Sequence, residues 1–407
     1  MEKQFSGQNQ KKLGLSQFVQ AIEASRTLAI TTKVTELRRQ GKTIIDLGAG
    51  EPDFPTPAPV CDAGIQAIRN GKTKYTHNAG ILELREKIAA FVNKYGGQYQ
   101  PEQILVSAGA KQSIFNALLA VCDPDDEVLV ISPYWTSYPQ QVKMARATPV
   151  FLQASERDHY KVTAEQLSKA ITPKTKLLMF NSPSNPTGAT YTKDELAAIA
   201  DVVAQHDIYL LSDEIYMQLV YDGLEPVSMA MFPQIRSQLI LVNGLSKSHA
   251  MTGWRVGYLA AELPIVKAAA KVQSHSTSNI TSISQYAAVA AFELAETELQ
   301  KMRTTFAERR DFVTQRLRSI PGVSLSLPQG AFYVYPNFSQ YFGKKYQQKT
   351  LNAALDIADF LIDAAGVAVV PGEAFGSNEN IRISYANSME NLAIAMDQIE
   401  VALKKLQ

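Results

Sequence analysis

The sequence contains little cysteine, no long hydrophobic run and no excess of charge of either sign. Two of its 407 residues are cysteines, Cys61 and Cys122, and neither has a neighbouring cysteine in the chain. They cannot form the ligand cluster of a structural zinc site. We therefore expect two reduced, mostly buried thiols and no metal.

The charges are balanced, because 40 lysines and arginines stand against 39 aspartates and glutamates, a net charge of +1. A chain of this kind has no overall field that attracts nucleic acid or an anionic membrane. The balance argues against a general nucleic-acid-binding protein.

No uninterrupted apolar run approaches the roughly 18 residues that cross a bilayer. The polar segment 1–14 also lacks the apolar core of a secretory signal, and a frayed tail is expected there. We expect a cytoplasmic protein that does not bind membranes.

From residue 104 onward, short aliphatic runs alternate with helical patterns, which is typical of an α/β sheet covered by helices on both faces. Most runs are continuously apolar, as in strands that are buried on both faces. Seven strands are predicted, at residues 104–107, 127–132, 149–152, 176–181, 208–213, 239–244 and 256–260. Helices are predicted between them, for example at residues 109–122 and 193–205.

A smaller unit is predicted after Pro321. It combines short strands with a final amphipathic helix, at residues 332–335, 367–370, 381–384 and 389–406. A helix over about residues 16–40 and a strand at 43–47 are expected to pack with it. The domain prediction therefore assigns residues 1–50 and 321–407 to a small domain and residues 51–320 to a large one.

Polar residues follow several predicted strands at the carboxyl ends, where open α/β sheets bind ligands. Lys247 follows strand 239–244, where desolvation would lower its pKa and make its amine a nucleophile. A lysine at a strand end is also commonly a solvent-exposed residue. Asp213 ends strand 208–213 and could accept buried hydrogen bonds, bind a metal or cap a helix.

Asn185 lies between two prolines in the Ser-Pro-Ser-Asn-Pro-Thr-Gly run at residues 182–188. Either X-Pro bond can be cis for only about 0.5–1 kcal/mol. The rigid loop would hold the amide ready to donate to a ligand, and a plain turn is the alternative. Gly109 and Ala110 open a predicted helix, whose free N–H groups and dipole favour an anion.

Two arginines lie beside or within predicted strands. Arg255 directly precedes strand 256–260, and Arg382 lies inside strand 381–384. A guanidinium donates paired hydrogen bonds to a phosphate or a carboxylate, and a buried one requires an anion. A ligand or an internal salt bridge would supply that anion. Together, the strand-end residues fit an aldehyde cofactor with a phosphate and a basic ring nitrogen, such as pyridoxal phosphate.

These motifs resemble those of the class I aminotransferases of fold type I, and are most similar to bacterial-type aspartate and aspartate-prephenate aminotransferases. The resemblance rests on residues 182–188, on Ser-Asp-Glu-Ile-Tyr at 212–216 and on Asn-Gly-Leu-Ser-Lys at 243–247, with further matches at 50–54, 74–75, 133–135, 251–255 and 371–376. It covers nearly the whole chain. The resemblance implies an α/β fold with a mostly parallel seven-stranded sheet between helices, plus a smaller α/β domain from both chain ends.

The resemblance also implies how pyridoxal phosphate is held. Lys247 would bond to its aldehyde and move the proton during catalysis, and Asp213 would pair with its ring nitrogen. Asn185 and Tyr216 would hydrogen-bond its phenolic oxygen. Trp135 would stack on the ring and, with Asn185, border the substrate; an ordinary core aromatic is the alternative for Trp135.

The resemblance assigns the phosphate to Arg255, the backbone of Gly109 and Ala110, and Ser246. Tyr75 would reach the phosphate of the neighbouring subunit's cofactor. A homodimer with shared active sites is therefore implied.

For the substrate, the resemblance implies that Arg382 binds the α-carboxylate, aided by the backbone at Gly50. Residues 273–281 lack the arginine that recognises the distal carboxylate in the best-known aspartate enzymes. Lys111 is the candidate replacement, and Thr27 with Lys111 matches the pair associated with prephenate. Alternatively, Lys111 only neutralises the cofactor phosphate.

The implied activity is a reversible ping-pong transfer of the α-amino group between aspartate or glutamate and 2-oxo acids, with prephenate as a further acceptor. An aromatic or kynurenine-type aminotransferase, or a lyase of the same fold, is the alternative enzyme. A non-catalytic relative that binds the cofactor as a regulatory module is a third reading. The intact Lys247, Asp213 and Arg382 argue against that third reading.

Overall fold

The structure is a computed structural model that describes residues 14–24 and 26–407. The helices in this part of the chain are α1 Gln17–Gln20, α2 Arg26–Arg39, α3 Ala58–Arg69, α4 Leu82–Lys94, α5 Ala110–Val121, α6 Ser137–Met144, α7 Ala164–Ala170, α8 Lys193–Ala204, α9 Leu263–Ser274, α10 Ser282–Ala291, α11 Glu296–Arg318, α12 Ala354–Ala365 and α13 Met389–Leu403. The strands are β1 Ile45–Asp46, β2 Ile104–Ala108, β3 Glu127–Ser132, β4 Thr148–Gln153, β5 Thr175–Asn181, β6 Tyr209–Asp213, β7 Leu239–Gly244, β8 Val256–Ala260, β9 Tyr333–Val334, β10 Lys345–Tyr346, β11 Lys349–Thr350, β12 Val367–Ala368, β13 Val370–Pro371 and β14 Ile381–Ser384.

A seven-stranded sheet in the order β2-β8-β7-β6-β5-β3-β4 forms the centre of the molecule. Strand β8 runs antiparallel to both of its neighbours, and the other pairs of neighbours are parallel. The seven strands predicted from the sequence are confirmed, with ends that differ by at most one residue.

The central strands are buried on both faces. Successive residues of β5 alternate between two hydrophobic clusters, since Leu178 and Phe180 belong to one cluster and Leu177 and Met179 to the other. Helix α8 packs in the first cluster and α5 in the second. Helices therefore cover both faces, which explains the continuously apolar strand sequences.

Both ends of the described chain pack together. Strand β1 pairs in parallel with β12, and Val34 and Ile44 share a hydrophobic cluster with Ile362 and Ala368. A second sheet, β13-β14-β9, is antiparallel and lies in the C-terminal part. The domain boundaries at residues 50 and 320 stay a prediction.

Two local predictions were wrong. The single helix expected over residues 16–40 is divided into α1 and α2, because residues 17–20 bury no side chain and have no core that would extend the helix. The strand expected at 367–370 is split, since β12 pairs with β1 and β13 pairs with β14. Both thiols are mostly buried as expected, Cys122 more fully than Cys61.

The tail expected at residues 1–14 lies, except for Gly14, outside the described residues. Within residues 14–24 and 26–407, no helix is long and apolar enough to span a membrane. The same residues contain no cluster of histidine, cysteine, aspartate and glutamate that could hold a metal ion.

Candidate active site

A cavity of about 300 Å³ lies at the carboxyl ends of the parallel strands. Strands β5, β6 and β7 are neighbours in the sheet, so the segments that follow them meet at one edge. Most residues predicted for the site line this cavity: Gly50, Ala110, Lys111, Trp135, Asn185, Asp213, Tyr216, Ser246, Lys247, Arg255 and Arg382.

Asp213 is a buried carboxylate at the end of β6, with 4% of its surface exposed. It accepts hydrogen bonds from the Tyr138 hydroxyl at 2.7 Å and from the Ile215 N–H at 3.2 Å. Burial raises the pKa of Asp213 to about 6, and these hydrogen bonds and the nearby Lys247 oppose the rise. No α-helix starts at Asp213, so it is not a helix cap. A buried acid in this position is suited to pair with a cationic group in the cavity.

Lys247 extends into the cavity from the loop after β7. Its Nζ donates to the carbonyl oxygen of Gly50 at 2.5 Å. Burial lowers the pKa of Lys247 to about 8; the Glu51 carboxylate opposes this shift, and Arg382 and Arg255 add to it. A substantial fraction of the amine is therefore neutral near physiological pH and available as a nucleophile or base.

Arg382 is a buried cation with 2% of its surface exposed. Its guanidinium donates to the Gly48 carbonyl at 2.6 Å and to Asn185 Oδ1 at 3.1 Å, while its Nε has no hydrogen-bond partner. None of the carboxylates in the described chain forms an ion pair with it, so the internal salt bridge is excluded for these residues. A buried arginine with an unsatisfied donor is suited to bind an anion.

The N-terminus of α5 forms a second anion-binding feature. Gly109 precedes the helix with a φ of 85°, and a Cβ there would lie 2.5 Å from Arg255 Nη2. Arg255 donates to the backbone carbonyls of Thr252 and Ala108 at 2.9 and 3.2 Å. Helix N–H groups and a guanidinium thus face the same space, a combination that suits a phosphate.

Trp135 and Lys111 form a wall of the cavity. Trp135 is half-buried and packs edge-on against Tyr138, with ring centroids 5.3 Å apart, while also contacting the hydrophobic core. The Lys111 ammonium lies 5.0 Å from the centre of the Trp135 ring. Displacement of water by the surrounding protein, together with the charge of Arg255, lowers the pKa of Lys111.

The sequence analysis did not identify two tyrosines of the site. Tyr138, on α6, donates to Asp213, and the hydroxyls of Tyr333 and Tyr216 lie 2.9 Å apart. Tyr333 occurs in an apolar run that is typical of core aromatics, and Tyr138 lies in a mixed polar segment. Both contacts join distant parts of the chain. No sequence signal distinguished them from core residues.

Three predicted residues are not among those that line this cavity. Tyr75 is 92% exposed and does not line it. The side chain of Thr27 lies outside the described part of the structure. Gly109 lies against the Arg255 guanidinium, and its backbone shapes the space beside that group.

Comparison with known proteins assigns the chain and its fold to one family. A family model described as aminotransferase class I and II matches residues 42–399. The aspartate aminotransferase of Bacillus subtilis is 44% identical over 396 residues, which are 96% of this chain and 99% of that protein. The aspartate/prephenate aminotransferase of Nitrosomonas europaea is 43% identical and covers 95% of this chain and 98% of its own length.

The fold agrees with these sequence relatives. The crystal structure of the aspartate aminotransferase from Rhizobium meliloti has a TM-score of 0.93 and 39% identity to this chain, covering 97% of it and 100% of that chain. A family match over most of the sequence, relatives above 40% identity and the same fold all point the same way, and the chain therefore belongs to the class I and II aminotransferases.

Proposed function

We propose that this protein is a pyridoxal-phosphate-dependent aminotransferase that moves the α-amino group between aspartate or glutamate and 2-oxo acids. The observation that carries the proposal is the convergence of Lys247, Asp213 and Arg382 on one cavity. Among the described residues, no carboxylate forms an ion pair with Arg382. The relatives named aspartate aminotransferase and aspartate/prephenate aminotransferase support this substrate class.

The residues present fit the cofactor. Bound pyridoxal phosphate supplies an aldehyde that accepts the amino group and a ring that withdraws electrons from the reacting carbon. Gly257 lies so close to Ala110 that a Cβ on it would be 2.1 Å from Ala110 N. With the start of α5 held this near to Arg255, both could bind the phosphate. Ser246 lines the same cavity and could add a hydroxyl donor.

Asp213 would face the ring nitrogen and keep it protonated. Asn185 and Tyr216 would donate to the phenolic oxygen, and Trp135 would cover one face of the ring. Burial raises the pKa of Tyr216 well above its ordinary value, so its hydroxyl stays protonated and remains a donor.

Lys247 would act as the base. Its amine, with a pKa near 8, removes the proton from the α-carbon of the amino acid and returns a proton in the reverse direction. The Gly50 carbonyl accepts a hydrogen bond from Nζ at 2.5 Å and so positions the amine that would take the proton. Removal of this base costs about 10²- to 10⁴-fold in a typical enzyme.

Arg382 would bind the substrate α-carboxylate, oriented by its hydrogen bonds to Asn185 and Gly48. Lys111 at the opposite wall is the candidate for the distal carboxylate, and with Thr27 it would admit prephenate. Because the pKa of Lys111 is lowered, its ability to bind a carboxylate should weaken at alkaline pH.

A homodimer with shared sites is part of the proposal. Tyr75 is 92% exposed in the isolated chain, which suits a side chain that reaches the partner's cofactor phosphate. A cytoplasmic location stays a prediction from the sequence.

The first test is the Lys247→Ala variant. It should lose at least about 10²- to 10⁴-fold in amino-transfer rate, because the base is removed, and should lose the absorbance of lysine-bound cofactor. Lys193→Ala, at the first turn of α8 and away from the cavity, is the matched control and should behave as the wild type. Retention of the lysine-bound absorbance by Lys247→Ala would exclude the assignment.

The second test compares substrates. Steady-state constants for aspartate, glutamate, prephenate and phenylpyruvate on the purified holoenzyme separate the dicarboxylate reading from an aromatic one. We expect kcat/KM to be highest with the dicarboxylates. A preference for apolar donors would contradict the proposed specificity while leaving the cofactor assignment intact.

A further inference from the structure

Tyr333 connects two parts of the site that otherwise belong to separate sheets. It lies on β9 of the small C-terminal sheet, where β9 pairs with β14, the strand that carries Arg382. Its side chain is fully buried yet borders the cavity. Its hydroxyl is 2.9 Å from that of Tyr216, which follows β6 of the large sheet.

The ring of Tyr333 faces Arg382. The guanidinium carbon lies 4.5 Å from the ring centre, within the range of a cation–π contact, and Phe375 flanks the same guanidinium at 5.0 Å. Since no carboxylate of the described residues pairs with Arg382, these two rings and a few hydrogen bonds hold the cation in place. The ring therefore fixes the guanidinium while leaving its donors available to an anion.

The hydroxyls of Tyr333 and Tyr216 lie within hydrogen-bonding distance, and either can be the donor. Burial raises the pKa of both tyrosines, with Arg382 opposing the rise at each, so both hydroxyls carry a proton. If Tyr333 donates to Tyr216, the proton of Tyr216 is free to point into the cavity. The hydrogen bond from Tyr333 would also strengthen the one that Tyr216 donates, because hydrogen bonds in a chain polarise one another.

We propose that Tyr333 is a positioning residue for both ends of the reacting molecule. Its hydroxyl directs the Tyr216 proton toward the phenolic oxygen of the cofactor, and its ring holds Arg382 for the substrate α-carboxylate. This inference rests on the proposed aminotransferase function and adds a residue to it.

The Gly50 loop packs against the same hydroxyl. A Cβ on Gly50 would lie 3.2 Å from the Tyr333 hydroxyl oxygen, and the Gly50 carbonyl holds Lys247. The charged groups that face the two hydroxyls are Arg382 on β14, Asp213 on β6, Lys247 after β7 and Glu51 on the N-terminal side. Tyr333→Phe keeps these groups and the ring that holds Arg382, so a change in the pH profile of that variant reports the hydroxyl itself.

The test uses two variants of the holoenzyme. Tyr333→Phe keeps the ring and removes the hydroxyl, whereas Tyr333→Leu removes both. A weaker donor stabilises an anionic cofactor oxygen less, so Tyr333→Phe should raise the apparent pKa of the absorbance of bound cofactor by about half to one unit. Its dissociation constant for maleate, a dicarboxylate without an amino group, should stay within about twofold of wild type.

Tyr333→Leu should show the same rise in pKa and also bind maleate about 3- to 30-fold more weakly, as measured by calorimetry, because Arg382 loses the ring. Tyr385→Phe is the matched control. Its buried hydroxyl donates to the Ala331 carbonyl at 3.2 Å, away from the cavity, and that carbonyl also accepts from Tyr221. It should shift neither quantity.

An unchanged absorbance pKa in Tyr333→Phe, or wild-type maleate affinity in Tyr333→Leu, would overturn the inference. If the wild type transfers amino groups and the variants match it, the inference alone fails. If the wild type shows no lysine-bound cofactor, the proposed function fails, and maleate binding by Tyr333→Leu still tests the contact with Arg382.

Discussion

Asp213 illustrates how single residues in this site depend on partners that lie far away in sequence. The carboxylate is buried, and burial alone would favour its neutral form. The hydroxyl of Tyr138, 75 positions earlier, donates to it at 2.7 Å and stabilises the ionised form. The sequence motif identifies Asp213, but only the packing of α6 against the sheet supplies Tyr138.

We expect Tyr138→Phe to raise the pKa of Asp213 above its present value of about 6, by roughly one unit, since a hydrogen bond to the charged form is lost. In the proposed mechanism the ionised form of Asp213 is the active one, and it predominates above this pKa. The acid limb of the kcat/KM profile should therefore move to higher pH, with a larger loss at pH 6 than at pH 8.

The matched control for this prediction is Tyr341→Phe, which removes a hydroxyl that donates to the Pro321 carbonyl at 2.6 Å, outside the cavity. A coincident acid limb for Tyr138→Phe and wild type would show that Tyr138 does not tune the carboxylate.

At the scale of elements, the site depends on the close approach of β8 to the start of α5. Gly257 on β8 permits this approach, because a Cβ would lie 2.1 Å from Ala110 N and 2.3 Å from Gly109 C. These are backbone atoms, which cannot rotate away as a flexible side chain can. The strand and the helix that hold the anion site are therefore fixed by a residue that has no functional group.

Gly257→Ala should displace the start of α5, destabilise the protein by about 1–3 kcal/mol and weaken cofactor binding about tenfold or more. Thermal unfolding of the apoprotein and titration with pyridoxal phosphate measure the two effects. Gly253→Ala is the control, since an added Cβ there meets nothing within 4 Å. Equal cofactor affinity of the two variants would contradict the role of this approach.

Strand positions followed closely from the sequence, because fully buried strands are continuous apolar runs and their ends are marked by polar residues. The N-terminal helix did not follow from the sequence. Residues 17–20 bury no side chain, and apolar periodicity in a sequence does not show whether a hydrophobic core is there to pack against. The division of residues 367–370 between two partners also depends on distant strands.

At the scale of the whole molecule, the proposed shared site predicts complementation. A dimer of one Lys247→Ala chain and one Tyr75→Ala chain has one site with both residues intact. Each variant lacks a residue of the proposed shared site. An equal mixture of the two, unfolded and refolded together, should gain roughly a quarter of wild-type activity over the variants refolded alone, because half of the dimers are hybrids with one working site each. Steady-state assay of the mixture, against each variant refolded alone, measures this.

If the mixture is no more active than the two variants refolded separately, Tyr75 does not act across a dimer. Size-exclusion chromatography with light scattering on the same samples distinguishes failure to form dimers from dimers with independent sites.

The sequence alone determined the fold class, the strand positions and the candidate site residues Lys247, Asp213 and Arg382, because each leaves a local signal of hydrophobicity or charge. The tertiary structure decided between the alternatives that remained. It showed that no carboxylate of the described residues pairs with Arg382, that Lys247 extends into the cavity, and that Tyr138 and Tyr333 contact residues of the site. Local sequence records which residues are buried or charged, whereas their partners are set by packing between distant segments.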